Sequence, residues 1–180
     1  IYTDSVTITV NPNPTAAISG TLAYCQGDST TLTASGGGTY LWSDAPTNTT
    51  TPNLTVSSPG SYTVTVTAPN TCTATSTATV VENPNPTASI SGTLNSCAGN
   101  STTLTASGAG ASGTYIWSPS GNTAAINVTA PGSYSVTATD VNSCSASTSA
   151  TVIENPNPTV SISGNLSYCA GDSTILTASG

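Results

Sequence analysis

Asn-Pro-Asn-Pro-Thr occupies residues 83–87, and the same five residues stand at 11–15 and at 155–159. Each copy follows the previous one by 72 positions, so the 180-residue chain is a repeat array. We expect it to be a fragment of a longer array. Its predicted parts are 1–10, the last strand of a preceding repeat; 11–82 and 83–154, two complete repeats; and 155–180, the first part of a further repeat.

The composition favours β-strands over helices. Ser and Thr make up about a third of the residues, Val, Ile, Tyr and Trp are well represented, and Met and Phe are absent. Short runs of alternating apolar and polar residues, separated by Gly, Pro and Asn, predict an all-β sandwich for each repeat. The predicted strands of the first repeat are 16–19, 29–35, 39–43, 54–57, 62–67 and 73–81.

The same alternation predicts which side chains face the core. In the first repeat these are Ile18, Leu32, Ala34, Trp42, Val56, Tyr62, Val64, Val66, Ala78 and Val80. In the second repeat they are Ile90, Leu104, Trp117, Ile126, Val128, Tyr134 and Val136. The second repeat gains three residues before its tryptophan strand and loses them again before Tyr134, which is the variation expected of loops on a fixed frame.

The charge pattern excludes several classes of function. Seven acidic residues and no Lys, Arg or His give a net charge of −7, which excludes nucleic acid and anionic membranes as electrostatic partners. No apolar run approaches the roughly 20 residues of a membrane span, so we predict no membrane insertion in this segment. Without His, Lys or Arg, a catalytic site would need two cooperating carboxylates. The acidic residues of the first repeat, Asp28, Asp44 and Glu82, do not all recur in the second, where Asn100 stands in place of Asp28. We therefore predict no enzyme activity and no cofactor.

The Asn-Pro-Asn-Pro stretches are predicted to be rigid joints. Proline fixes its own φ and favours an extended conformation for the residue before it, which gives a short stiff spacer. The joint prolines are Pro12, Pro14, Pro84, Pro86, Pro156 and Pro158. Glu82 and Glu154 lie next to the joints, but one Glu with Asp28 or Asp140 is too few carboxylates for calcium, so we predict no metal site.

The first repeat contains five short motifs: Cys25-x-Gly27, Leu32-Thr33-Ala34-Ser35-Gly36, Tyr40-x-Trp42-Ser43, Gly60-Ser61-Tyr62-Thr63-Val64 and Cys72. They resemble an immunoglobulin-like domain in which Ala34 and Val64 replace the two inter-sheet cysteines. More closely, they resemble the tandem Ig-like or PKD-like repeats of large secreted surface adhesins of gliding Bacteroidota. The resemblance implies tandem immunoglobulin-like sandwiches of 72 residues and a secreted, extracellular or cell-surface location.

Cysteines at 25, 72, 97, 144 and 169 keep the repeat spacing, and the absence of His favours disulfides over metal binding. Pairing within a repeat would join Cys25 to Cys72 and Cys97 to Cys144. If the strands run as in an immunoglobulin sandwich, however, Cys25 and Cys72 lie at opposite poles, roughly 25 Å apart, whereas a disulfide needs Cα atoms within about 7 Å. That topology favours a bond across a joint, between Cys25 and Cys144, and both pairings remain open.

The resemblance further implies a structural module, the shaft of a fibre or adhesin, whose partners are neighbouring repeats of the same or identical chains. The alternative is an adhesive module in which exposed aromatic loops around Trp42, Asp44 and Trp117 bind host or environmental glycans. In that phylum O-glycans attach at Asp-Ser or Asp-Thr followed by an apolar residue or Thr. The matching candidates are Ser5, Ser29 and Ser173.

Overall fold

The computed structural model describes residues 4–43 and 47–180, and these residues contain sixteen β-strands and no helix. The strands of the first repeat are β1 (Ala17–Gly20), β2 (Ala23–Cys25), β3 (Thr30–Ser35), β4 (Thr39–Trp42), β5 (Asn53–Val56), β6 (Gly60–Thr67) and β7 (Thr73–Asn83). Those of the second are β8 (Ser89–Gly92), β9 (Asn95–Cys97), β10 (Thr102–Ser107), β11 (Thr114–Ser118), β12 (Ala125–Val128), β13 (Gly132–Thr139) and β14 (Ser145–Asn155). β15 (Ser161–Gly164) and β16 (Leu176–Ser179) follow.

Each complete repeat forms a sandwich of a three-stranded and a four-stranded sheet. In the first repeat the sheet orders are β1-β3-β5 and β2-β7-β6-β4, and in the second they are β8-β10-β12 and β9-β14-β13-β11. The neighbours are antiparallel except that β2 runs parallel to β7 and β9 runs parallel to β14. This strand order is that of an immunoglobulin-like β-sandwich, as the sequence predicts.

The core of the first sandwich lies between its two sheets. Leu32 and Leu54 come from the smaller sheet, and Trp42, Val64 and Val66 come from the larger one. Most of the predicted inward residues are buried, and Ile18 and Tyr62 pack at the edge of the cluster. The second core repeats the pattern with Leu104, Ala106, Trp117, Val128, Val136 and Val152.

The side chains expected at the immunoglobulin cysteine positions are small and apolar here. Ala34 and Val64 are both buried in the first core, and Ala106 and Val136 take the same places in the second. The sandwich is therefore closed by apolar packing between the sheets, without an inter-sheet disulfide.

A tyrosine near the start of β6, and its counterpart near the start of β13, ties the preceding turn to each sandwich. The Tyr62 hydroxyl donates to the Ser58 carbonyl oxygen at 2.7 Å, and the Tyr134 hydroxyl donates to the Ala130 carbonyl oxygen at 2.8 Å. A tyrosine bonded back to the backbone a few residues upstream is a hallmark of immunoglobulin-like sandwiches.

Glycine ends the first strand of every repeat because the next strand comes too close for a side chain. Gly20, Gly92 and Gly164 have φ of +130°, +135° and +141°. A Cβ atom on Gly20 or Gly92 would collide with the backbone carbonyl oxygen of Thr31 or Thr103. These positions combine a positive φ with a close backbone approach, so only glycine fits them without strain.

The outward faces are held by neutral hydroxyl pairs across neighbouring strands. Thr63 and Thr77 bring their Oγ1 atoms to 2.8 Å, and Ser89 and Ser107 bring their Oγ atoms to 2.7 Å. Such cross-strand pairs add a fraction of a kcal/mol each to a sheet.

The chain folds into two compact units. The first is Ile1–Pro86 with Asp140–Ser145, and the second is Thr87–Thr139 with Ala146–Gly180. The turn at 140–145 therefore belongs to the first unit, although the sequence places it in the second repeat. The predicted repeat boundaries at 82/83 and 154/155 are defined by the repeated sequence, and they remain a prediction.

The two incomplete repeats show less structure. Residues 4–16 form no strand, and the assignment of 1–10 to a preceding repeat remains a prediction. β15 and β16 pair in the register of β1 and β3, with Ser161 opposite Ser179 as Ala17 is opposite Ser35. All eight residues of β15 and β16 are exposed, because no second sheet covers them within the described part of the chain.

Candidate functional site

A disulfide joins Cys25, in the first sequence repeat, to Cys144, in the second. Their Cα atoms are 5.4 Å apart, and the two cysteines are 119 positions apart in sequence. Both cysteines lie in the first compact unit, because the turn that carries Cys144 belongs to it. Cys144 is fully buried and Cys25 is half-buried.

The pairing within a repeat is therefore wrong. Cys72 and Cys97, the partners that it requires, are free thiols, as is Cys169. The physical reason lies in the strands that carry the cysteines. Cys25 ends β2, where that strand pairs with the final residues of β7, whereas Cys72 lies before the first residue of β7. β7 is eleven residues long, so it separates them by roughly 35 Å of extended chain.

The Asn-Pro-Asn-Pro segment holds the loop that follows Cys25. The Gln26 N–H donates to the Asn83 carbonyl oxygen at 2.8 Å, and the Asn85 side-chain amide donates to the Gln26 carbonyl oxygen at 2.9 Å. The sequence predicts stiffness from Pro84 and Pro86, but the role of the asparagine side chains is not apparent from it. The signal that could have identified these asparagines is that they recur together with the prolines.

The same contacts recur in the second compact unit. The Ala98 N–H donates to the Asn155 carbonyl oxygen at 2.9 Å, and the Asn157 amide donates to the Ala98 carbonyl oxygen at 3.0 Å. The first joint is bonded differently, since the Asn70 amide donates to the Pro12 carbonyl oxygen at 3.1 Å. Side-chain amides thus anchor the backbone near each Asn-Pro-Asn-Pro segment to a neighbouring loop.

The turn that presents Cys144 is closed by Asp140. One carboxylate oxygen of Asp140 accepts from the N–H groups of Asn142 and Cys144, both at 2.9 Å. The Asp140 N–H donates to the Cys144 carbonyl oxygen at 2.9 Å, and Ser143 has a φ of +66°. This tight turn holds the Cys144 backbone in place before β14 begins.

Tyr24 lies beside the disulfide in an open depression of about 680 Å³, together with Asp28, Ser57 and Asn142. Its side chain is 6% exposed, and its hydroxyl has no hydrogen-bond partner among the described residues. Burial, with smaller contributions from Glu82 and Tyr62, raises the pKa of Tyr24 above 10.0.

The tryptophans lie in the cores. Trp42 is 0% exposed and Trp117 is 3% exposed. Their indole N–H groups donate to the carbonyl oxygens of Thr51 at 3.0 Å and Thr123 at 2.9 Å. The alternative prediction, that these two tryptophans form an exposed aromatic platform for glycans, is therefore wrong for both. Asp44, the third residue of that prediction, lies outside the described residues.

The remaining predicted positions are on the surface. Ser5, Ser29 and Ser173 are exposed, and their glycosylation stays a prediction. The described residues hold no group of three or more acidic or cysteine side chains placed to bind a metal ion. At the third joint, residues 155–159, Glu154 instead accepts a hydrogen bond from the Gly99 N–H at 3.2 Å. Within residues 4–43 and 47–180, no helix has the length and apolar character to cross a membrane.

No protein-family model matches the sequence, and no curated protein matches it. Several solved structures with immunoglobulin-like domains are similar to this chain. The three N-terminal domains of the Highly Immunogenic Outer Capsid protein of bacteriophage RB49 align at 17% identity and a TM-score of 0.45, over 93% of this chain and 69% of that one. Murine CEACAM1b aligns at 12% identity and 0.36, over 77% and 100%, respectively.

The insect immune protein hemolin aligns at 15% identity and a TM-score of 0.39, over 80% of this chain and 47% of that one. The immunoglobulin-like fold of this chain follows from its strand order and its two buried cores.

Proposed function

We propose that this chain is a structural repeat module, forming part of the rigid shaft of a secreted fibre or cell-surface adhesin. The Cys25–Cys144 disulfide is the observation that carries the proposal. A tensile load applied at the chain ends would pass through this bond and bypass the chain between the cysteines, which are 119 positions apart. A disulfide so placed suits a protein that must not lengthen under load, and a disulfide also suits an oxidising, extracellular setting.

The joints support the same proposal. Proline restricts the backbone, and the Asn85 amide ties the joint to Gln26 in the loop that follows Cys25. The strand faces carry neutral hydroxyl pairs, and the two indoles are buried. These features favour a load-bearing role over glycan recognition, because the alternative depends on aromatic rings at the surface.

The experiment is to stretch single molecules by their two ends in an atomic force or optical tweezers instrument. A fully unfolded chain lengthens by about 3.3–3.6 Å per residue, so bypassing 119 residues shortens the final extension by roughly 400 Å. We expect the oxidised chain to show this shortfall. A variant with both Cys25→Ser and Cys144→Ser should reach the full length.

The free cysteines provide a matched control. The double variant Cys72→Ser and Cys97→Ser retains the observed disulfide and should show the same shortfall as the unmodified chain. An oxidised chain that extends as far as the Cys25→Ser, Cys144→Ser variant would refute the load-bearing role.

A further inference from the structure

The observed disulfide connects two cysteines that occupy different positions in successive repeats. We call Cys25, Cys97 and Cys169 the first cysteines, and Cys72 and Cys144 the second cysteines, since members of each set are 72 positions apart. The structure bonds the first cysteine of one repeat to the second cysteine of the following repeat. The three cysteines left free are those whose partner under this rule lies outside residues 1–180.

The surroundings of Cys97 repeat those of the bonded Cys25. Cys97 ends the short parallel strand β9 opposite Asn155, as Cys25 ends β2 opposite Asn83. The residue after each cysteine donates its N–H to that opposite asparagine's carbonyl oxygen, at 2.9 Å and 2.8 Å. The exposed, free Cys97 therefore lies in the same backbone arrangement as the disulfide-bonded Cys25.

The turn around Cys72 likewise repeats the turn around the bonded Cys144. The residue before each cysteine has a positive φ, +68° at Thr71 and +66° at Ser143. The carbonyl oxygen of each cysteine accepts from the N–H four residues earlier, at 2.9 Å in both turns. Each cysteine N–H also donates to a side-chain oxygen within the turn, Asn70 at 3.1 Å or Asp140 at 2.9 Å.

We propose that every first cysteine forms a disulfide with the second cysteine of the following repeat. Cys97 and Cys169 then bond second cysteines 119 residues further along an array, and Cys72 bonds the first cysteine of a preceding repeat. Each bond forms when two thiols lose two protons and two electrons to a disulfide oxidant such as oxidised glutathione, which is reduced to two molecules of glutathione. This pairing rule is independent of the proposed function, because it holds whether or not the array bears load.

The test adds one repeat to the chain. A second copy of residues 83–154 is inserted after Glu154, with Ser149→Thr in that copy as a mass tag at an exposed position. The chain is folded in a glutathione redox buffer, its free thiols are alkylated under denaturing conditions, and it is cleaved after Glu. Trypsin is of no use here because Lys and Arg are absent, whereas Glu82 and Glu154 separate the repeats.

We expect 1–82, 83–154 and the inserted copy to remain one covalent species until reduced, while 155–180 is released with its thiol alkylated. Replacing Cys97 by Ser in the original copy should release the inserted copy and leave 1–82 joined to 83–154. An inserted copy that separates without reduction, or that pairs its own two cysteines, overturns the rule.

A second variant tests the rule in the unextended chain, without relying on the folding of an added repeat. Replacing Cys144 by Ser removes the second cysteine that the rule pairs with Cys25, so the number of alkylated thiols should rise from three to four. A new bond between Cys25 and Cys72, detected on the same cleavage map, would contradict the pairing.

Discussion

Leu32→Ala tests whether each repeat is stabilised by its own apolar core. Leu32 is fully buried in β3, between Gly20 on β1 and Leu54 on β5. Gly20 has no side chain, and its Cβ position is blocked by the Thr31 carbonyl oxygen, so β1 offers little to fill the space. We expect the cavity to persist and the free energy of unfolding of the first unit to fall by about 3 kcal/mol.

That loss is large for a domain of this size. At roughly 0.05–0.15 kcal/mol per residue, a repeat of 72 residues has a free energy of unfolding of about 4–10 kcal/mol. A destabilisation of 1 kcal/mol lowers the melting temperature of such a domain by about 4–8 °C. Leu32→Ala should therefore lower the melting temperature of the first unit by roughly 12–24 °C.

The assay uses tryptophan fluorescence. In a Trp117→Phe background, Trp42 alone reports the first core during urea or thermal unfolding. The matched control is Leu41→Ala, since Leu41 lies beside Trp42 on β4 but is 50% exposed, and we expect a change below about 0.5 kcal/mol. If Leu32→Ala costs no more than Leu41→Ala, the core assignment is wrong.

Three further predictions concern single groups. Tyr62→Phe removes the hydroxyl bond to Ser58 and should lower the free energy of unfolding by about 1 kcal/mol in urea titrations, and an unchanged midpoint would show that the bond is not stabilising. Gly92→Ala should destabilise more than Gly99→Ala, because both glycines have positive φ but only Gly92 is also blocked by a backbone carbonyl, and equal melting temperatures would contradict this. Burial raises the pKa of Tyr24, so the folded chain keeps this proton above pH 10 where the unfolded chain loses it, and stability falls as pH rises past 10. With the free thiols alkylated, Tyr24→Phe should lose less stability between pH 9 and 11, and a loss equal to that of the unmodified chain would refute the assignment.

Most strands of the sandwich can be predicted from the local alternation of apolar and polar residues. The strand β2 could not be predicted in this way. β3 and β6 alternate over six and eight residues, enough to define both strand and buried face. β2 has three residues, Ala23 to Cys25, which is too short for a period to be read. Its partner β7 lies more than fifty residues later and runs parallel to it, so the pairing depends on the tertiary fold.

The candidate site was predictable only through the resemblance to an immunoglobulin-like domain. Spacing alone left two pairings open for Cys25, and the strand directions of the sandwich made Cys144 the better partner. The Asn85 bond to Gln26 had no local signature, because it joins residues 59 positions apart. Tyr24 was not among the predicted core residues for the same reason, since it is buried only after β2 joins the larger sheet.

The hydroxyl pairs on the strand faces bear on where such a protein can work. The surfaces of many proteins carry ion pairs between side chains, and these ion pairs weaken as the ionic strength rises. Here Thr63 and Thr77 meet as neutral groups, and the chain has no Lys, Arg or His to form an ion pair. Salt screens the mild repulsion among seven acidic groups and has no side-chain ion pair to weaken, so a rise in ionic strength should not loosen the sheets.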